Sequence, residues 1–176
     1  VYVGIVNIPQ TDLGGTSLTF DILVTNDLVV ELDDDFNVQI FKTIGANPQD
    51  SLYLVEPTLT IVDNDSATVS ISADADGVEG GVDGQFTVTQ TAISSTDTVV
   101  SYSVGGTATA GTDYATLSGS VTIPAGSTAA TIDVAGIVND LIVEADETVD
   151  ITLTGIVSGD AQIDLDTDPL NLADTV

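Results

Sequence analysis

Apolar residues alternate with small or hydroxyl-bearing residues along most of the chain. Such alternation predicts β-strands, because successive side chains of a strand point to opposite faces of a sheet, and the many Val, Ile and Thr residues favour the same reading. No stretch carries an apolar stripe at the helical period of about 3.6 residues. The pattern therefore predicts an all-β fold, an antiparallel immunoglobulin-like β-sandwich. Its strands are expected at residues 1–8, 17–24, 36–41, 58–62, 68–72, 85–89, 99–104, 120–123, 130–138 and 148–153.

The sequence also contains an internal repeat. The segment VTNDLVVELDDDFNV at residues 24–38 aligns without a gap with IVNDLIVEADETVDI at residues 137–151, so that Asn26 corresponds to Asn139 at an offset of 113 residues. Farther upstream, a Val-x-Ile-Pro element occurs in both copies if two residues are inserted in the first. Two tandem copies of one domain are therefore expected.

The two copies are expected to differ in extent. Copy one, residues 1–65, reads as the C-terminal half of a repeat that closes with the acidic triplet Asp63-Asn64-Asp65. Copy two, residues 66–176, reads as nearly complete but lacking most of its last strand. We expect the chain to be an internal piece of something longer, completed by neighbouring repeats or protomers head to tail.

One stretch of copy two has no clear alternation. Residues 155–173 are expected to form a long solvated loop between the last two strands, and this loop carries Asp160, Asp164, Asp166 and Asp168.

Charge narrows the range of functions. The 176-residue chain has 28 Asp and Glu against one basic residue, Lys42, and no His, which gives a formal net charge of −27. Nucleic acids and anionic membranes are poor partners for such a chain, since binding to either depends on Lys and Arg.

The composition also removes most catalytic residues. The chain has no Cys or His, and therefore lacks the side chains that most often act as nucleophiles, general bases and soft metal ligands. Paired carboxylates can hydrolyse glycosides, but there is no Trp to stack on a sugar. The chain is therefore expected not to be an enzyme.

The lack of cysteine bears on stability. Without disulfides, an extracellular version of this chain would need another form of cross-link, and bound metal is the obvious candidate. No apolar run approaches the roughly 20 residues that span a bilayer, so membrane insertion is not expected.

Four motifs follow one another in copy two. They are Val78-Glu79-Gly80, Gly111-Thr-Asp113-Tyr114, Val121-Thr-Ile-Pro124-Ala-Gly126 and Asn139-Asp140-Leu-Ile-Val-Glu144-Ala-Asp146-Glu147. Together they resemble the Calx-beta family, whose members include sodium-calcium exchangers and large bacterial surface proteins. The resemblance implies tandem seven-stranded sandwiches whose acidic loops at one end bind calcium.

Calcium is a hard cation that takes about six to eight oxygen ligands, so a site needs several carboxylates from flexible loops. The spacing of Asp140, Glu144 and Glu147 allows three carboxylates to share one cavity. Without a cation they would repel, by roughly 4 kcal/mol for two charges about 4 Å apart, and the loop should open. The resemblance implies a larger ligand set over both copies: Asp27, Glu31, Asp34, Asp63, Asp65, Glu79, Asp113, Asp140, the carbonyl of Ile142, Glu144 and Glu147.

Some residues depart from this pattern. Asn26 and Asn139 stand where calcium-binding members often have Asp, and Asn64 interrupts the closing triplet, so fewer or weaker sites are expected. Asp and Asn between strands are also ordinary turn residues, whose side chains bond to the local backbone.

The sequence favours a calcium-stabilised structural spacer or adhesin module, in an extracellular or cell-surface protein or filament of bacterial origin. Sites at the weak end of the calcium-affinity range suffice in such a setting. The alternative is a calcium-sensing regulatory Calx-beta domain, which needs tight sites. Carbohydrate binding has little support, because no aromatic cluster is visible.

Overall fold

A computed structural model describes residues 21–38, 40–43, 51–139, 141, 143 and 145–176, with the backbone alone for 40–43 and 51–55. The strand predicted at residues 1–8, and the first half of that predicted at 17–24, lie outside the described residues. Residues 21–24 are irregular.

The described parts of the chain are built from strands and one short 3-10 turn at Pro169–Asn171. None of the described segments is a helix long and apolar enough to cross a membrane. The strands are β1 (Asp34–Asn37), β2 (Ile40–Thr43), β3 (Ser51–Val55), β4 (Thr58–Ile61), β5 (Ala67–Ala75), β6 (Gly84–Gln90), β7 (Thr98–Gly106), β8 (Ser120–Ile123), β9 (Ala129–Val134), β10 (Val149–Ser158), β11 (Ile163–Leu165) and β12 (Ala173–Thr175).

Copy two forms two four-stranded sheets, in the orders β12-β10-β7-β8 and β11-β5-β6-β9. Its strand pairs are antiparallel, apart from the parallel pair of β11 with β5. The predicted all-β sandwich is confirmed. The core lies between these sheets, with Phe86 from one sheet and Ile123 and Ile151 from the other among the largest fully buried side chains. Burying each such side chain contributes about 1.5 to 3 kcal/mol.

Copy one contributes two hairpin-like pairs, β1 with β4 and β2 with β3. The pair β1-β4 has the same register as β10-β12 in copy two. Asn37 pairs with Thr58, and its repeat equivalent Asp150 pairs with Thr175. Thr175 therefore occupies the position of Thr58, and Val176 that of Leu59. This equivalence aligns the last residues of copy two with the start of β4, while the domain boundaries stay a prediction.

Besides the irregular residues 21–24, three of the predicted elements are wrong in detail. The stretch 155–173 is not a solvated loop, because β10 continues to Ser158 through a bulge at Gly155, and β11 then packs against β5. The strand predicted at 130–138 stops at Val134, just before Gly136, which has φ of 69°. The strand predicted at 36–41 is split, and its halves pair with β4 and β3.

Two of the four outer strands of copy two are very short. The outer strands are β12 and β8 on one sheet and β11 and β9 on the other. Strands β11 and β12 have three residues each and carry Asp164 and Asp174. The Oδ2 atom of Asp174 also accepts a hydrogen bond from the backbone N–H of Ala73 on β5 at 2.9 Å, which ties the two sheets together.

The two copies meet through a short backbone contact. The N–H of Val30 donates to the carbonyl of Ile93 at 3.0 Å, and the N–H of Ser95 donates to the carbonyl of Val30 at 2.9 Å. The two segments run parallel at this bridge, and Val30 is fully buried. The loop that precedes β1 is thereby docked onto copy two.

Candidate metal centre

Copy one gathers several carboxylates around one pocket. Its walls come from the loop before β1 and from the segment after β4, which lie side by side because Asp34 pairs with Ile61. The pocket is open to solvent on one side and has a volume of about 70 Å³, whereas about 10 to 15 Å³ on this measure is enough to hold one water molecule. The acidic residues that line it are Asp27, Glu31, Asp34, Asp63 and Asp65, the five ligands predicted for copy one.

Asp63 holds the two walls of this pocket together. Its Oδ2 atom accepts a hydrogen bond from the backbone N–H of Glu31 at 2.9 Å, and its Oδ1 atom accepts one from the N–H of Asp65 at 3.2 Å. Each carboxylate oxygen has two lone pairs, so Asp63 can keep these bonds and still bind a cation. The side chain therefore shapes the pocket in addition to being a candidate ligand.

Glu31 lies among like charges. Desolvation is the main cause that raises the pKa of its carboxyl above the usual 4.5, and the nearby carboxylates of Asp27, Asp34, Asp63 and Asp160 raise it further. Like charges disfavour ionisation, whereas a bound cation favours it. The pocket is thus electrostatically strained when empty and suited to a positive ion.

The raised pKa of Glu31 gives a pH dependence in calcium-free buffer. The folded-state pKa lies above the ordinary value of 4.5, so the folded protein binds a proton at Glu31 more tightly than the unfolded chain does. This proton stabilises the folded state at low pH, and the stabilisation is lost as pH rises through the raised pKa. Glu31→Gln should therefore raise the melting temperature at pH 7 in chelator, and the gain should vanish as the pH falls below 4.5. Melts of Glu79→Gln, an exposed glutamate outside this pocket, are the control. A Glu31→Gln protein that is less stable at pH 7 would contradict the assignment.

Part of the copy-one loop is ordinary turn chemistry. The Oδ1 atom of Asp27 accepts a hydrogen bond from the backbone N–H of Val29 at 3.0 Å, as Asp does in a turn. Among the described residues, no three acidic side chains are gathered closely enough to hold a metal ion as they stand. A cation bound here would have to draw the carboxylates inward, and without it their mutual repulsion favours the wider spacing.

In copy two, three segments converge at one end of the sandwich. The backbone N–H of Val138 donates to the carbonyl of Asp113 at 2.9 Å. A Cβ atom placed on Gly80 would lie 2.5 Å from Nδ2 of Asn139, so the turn after Glu79 touches the same loop. The structure therefore brings the backbones at Glu79 and Asp113 next to the start of the acidic loop.

The carboxylate of Asp113 is already engaged, since its Oδ2 atom accepts a hydrogen bond from the backbone N–H of Thr109 at 2.6 Å. Its neighbour Tyr114 is buried in the core beneath these loops. Desolvation, and then the charge of Asp113, raise the pKa of the Tyr114 hydroxyl.

The remaining predicted ligands of copy two lie on the acidic loop before β10. The side chain of Glu147 is exposed there. Three of the predicted ligands, Asp140, Ile142 and Glu144, lie outside the described residues.

The family model of the Calx-beta domain matches this chain twice, at residues 12–76 and 63–174. Together the two matches cover almost the whole sequence and overlap where copy one ends, as tandem repeats would. The chain belongs to the Calx-beta family. No curated protein and no solved structure gave a significant match. Calx-beta domains are non-catalytic β-sandwiches associated in general with calcium binding, and they occur in extracellular or membrane-associated proteins.

Two acidic residues near the Calx-beta pocket of copy one are not among the predicted ligands. The Oδ1 atom of Asp33 accepts a hydrogen bond from the N–H of Asp63 at 3.0 Å. Asp33 aligns with Asp146 in the repeat, and this recurrence of an acidic residue is a sequence signal that could have identified Asp33 as a candidate. Asp160 is 2% exposed, and its Oδ2 atom accepts a hydrogen bond from Oγ of Ser94 at 2.6 Å. Its Oδ1 atom has no hydrogen-bond partner among the described residues. No sequence signal marks Asp160, because it lies in the stretch that reads as a loop.

Proposed function

We propose that this chain is a calcium-stabilised, non-catalytic spacer of tandem Calx-beta repeats in an extracellular or cell-surface protein, of the kind that bacterial adhesins and filaments use. The observation that carries the proposal is the copy-one pocket. It is lined by five carboxylates from two separate segments, and one of them, Asp63, holds both segments in place. Calcium prefers such all-oxygen sites.

The charge of the chain supports the same proposal. With −27 formal charges and one basic residue, the folded chain has almost no internal cation to offset its acids. Bound divalent cations would offset part of this repulsion and would act as cross-links in place of disulfides. A spacer needs only that its folded state be rigid and stable, and millimolar extracellular calcium is enough for weak sites.

A second candidate function is calcium sensing, and the position of the pocket favours it. Glu31, which lines the pocket, directly follows Val30, which docks copy one onto copy two. A cation at Glu31 would therefore act one residue from the contact between the repeats.

The composition of the pocket favours the spacer instead. Asn26 and Asn64 also line the pocket and bring no charge, and fewer charged ligands give the weaker calcium binding that suffices for a spacer.

Calorimetric titration with calcium tests the pocket and separates the two candidates. Asp63→Asn should weaken calcium binding at least about tenfold, or about 1.4 kcal/mol, because it removes a charge and disturbs the bonds to Glu31 and Asp65. The matched control is Asp164→Asn, which removes the same charge on the exposed face of β11 and should change the affinity little.

Equal losses in the two variants would mean that calcium responds to overall charge and not to this pocket. For the wild-type chain, dissociation constants of about 0.1 to 1 mM fit an extracellular spacer, whereas values from about 0.1 to 10 μM fit a sensor.

A further inference from the structure

The contact at Val30 has two observable parts, a buried side chain and a backbone bridge. Val30 has none of its surface exposed, although most of its neighbours in the acidic loop are exposed. Its N–H donates to the carbonyl of Ile93 and its carbonyl accepts from the N–H of Ser95, at 3.0 and 2.9 Å. Both backbone groups of this one residue are therefore satisfied by copy two.

The receiving surface on copy two is a built structure, and we call residues 93–95 the docking seat. Ser94 is buried, with 3% of its surface exposed. Its hydroxyl donates to Oδ2 of buried Asp160 at 2.6 Å, and its carbonyl accepts from the N–H of Gly126 at 2.9 Å. The seat is thus held from two sides by copy two itself.

Copy two repeats the residue that docks. Val143 occupies the position of Val30 in the aligned segments, in the same sequence context of Val followed by Glu. Yet Val143 is 100% exposed, against 0% for Val30. The docking seat of this chain is already occupied by Val30, so Val143 has no seat within the chain. Moving a fully exposed valine side chain from water into an apolar contact lowers the free energy of the assembly.

We propose that Val143 is the docking residue for a further Calx-beta repeat, whose equivalent of residues 93–95 pairs with the Val143 backbone as copy two pairs with Val30. The occupant is a repeat of this same kind, because the seat fits the Val-Glu segment that both copies share. The proposal rests on continuity with the contact between the two copies and is independent of whether calcium binds.

The strand register shows how to build the test. Because Val176 takes the position of Leu59, a chain in which Val176 is followed directly by residues 60–176 should repeat the junction between the copies. Carrying Val143→Ile in the added copy changes the mass of its peptide over residue 143, so that hydrogen–deuterium exchange reads this position separately in the two copies.

In the extended chain, the amide of Val143 in copy two should exchange at least about tenfold more slowly than in the 176-residue chain, approaching the rate of Val30. Val143→Asp in copy two should restore fast exchange. Val157→Asp, at a valine on β10 that is also exposed, should leave the protection in place. Peptides from β6 and β7 are identical in both folded copies, so one protected population of these peptides shows that the added copy is folded. Fast exchange at Val143 in an extended chain that passes this check would overturn the proposal.

Discussion

Thermal melts in about 10 mM calcium and in chelator are expected to differ by about 5 to 10 °C. For a dissociation constant of about 0.1 mM, the tight end of the range for an extracellular spacer, this calcium concentration is about 100 times the dissociation constant, and a ligand that binds only the folded state then adds about 2.7 kcal/mol. For a chain of this size, each kcal/mol shifts the melting temperature by roughly 2 to 4 °C. The pocket lined by Asp27, Glu31, Asp34, Asp63 and Asp65 is the reason, because its carboxylates repel when no cation is bound.

Ionic screening has to be separated from binding in this experiment. Any salt reduces the repulsion among 28 acidic residues, so sodium chloride at matched ionic strength is the first control. Magnesium is the second, because it demands near-octahedral geometry at about 2.0 to 2.1 Å and gives up water reluctantly. A shift specific to calcium supports a shaped site. Identical melts in calcium and chelator would remove calcium from the proposed function.

The second large effect is a loss of stability, expected when Gly106 is replaced by alanine. The backbone of Gly106 has φ of 103°, and a Cβ atom there would lie 2.2 Å from the carbonyl oxygen of Thr148. That oxygen is already fixed by a hydrogen bond from the N–H of Ala108 at 3.0 Å, so it cannot move away cheaply. Gly106→Ala should therefore lower the free energy of unfolding by about 3 to 5 kcal/mol, from overpacking and left-handed strain together.

Gly126→Ala is the matched control for this substitution. Gly126 also has a positive φ, 74°, but a Cβ atom there would meet nothing within 4 Å. It should cost only the backbone strain, about 1 to 2 kcal/mol. Denaturant titration of both variants measures the difference. Equal costs would show that the approach of Gly106 to Thr148 is looser than described.

Gly106→Ala also has a consequence for the acidic loop of copy two. Thr148 directly follows Glu147, a candidate ligand, and Val149 pairs with Gly106 at the start of β10. Pushing Thr148 outward would displace the end of the loop. The variant is therefore expected to weaken calcium binding in copy two even under conditions where it is folded.

The strands that carry the core were predictable because their apolar period is regular. The alternation around Phe86 and Val100 gave strands that agree with β6 and β7 to within two residues. The stretch 155–173 was not predictable in the same way. Gly155 reads as a turn, but glycine inside a strand often marks a bulge, and β10 runs through it. Only tertiary contacts distinguish these outcomes.

The candidate site was predictable in composition but not in arrangement. The repeat identified Asp27, Glu31 and Asp34, since the same spacing occurs twice, whereas Asp63 and Asp65 were assigned from the family resemblance. The bond between Asp63 and Asp65 is a local turn, but the bond between Asp63 and Glu31 joins segments 32 residues apart, and no local pattern encodes such pairing. The buried side chain of Asp160 is a product of the same long-range packing.

The short acidic edges of copy two bear on how such repeats behave when crowded. An unpaired strand edge is a template for association with another sheet, and proteins block it with short strands and charges. Strands β11 and β12 are three residues long, and their Asp164 and Asp174 would bring like charges together if two such edges met. Repeats held side by side at high local concentration should therefore not associate through β11 or β12, even where their loops make specific contacts.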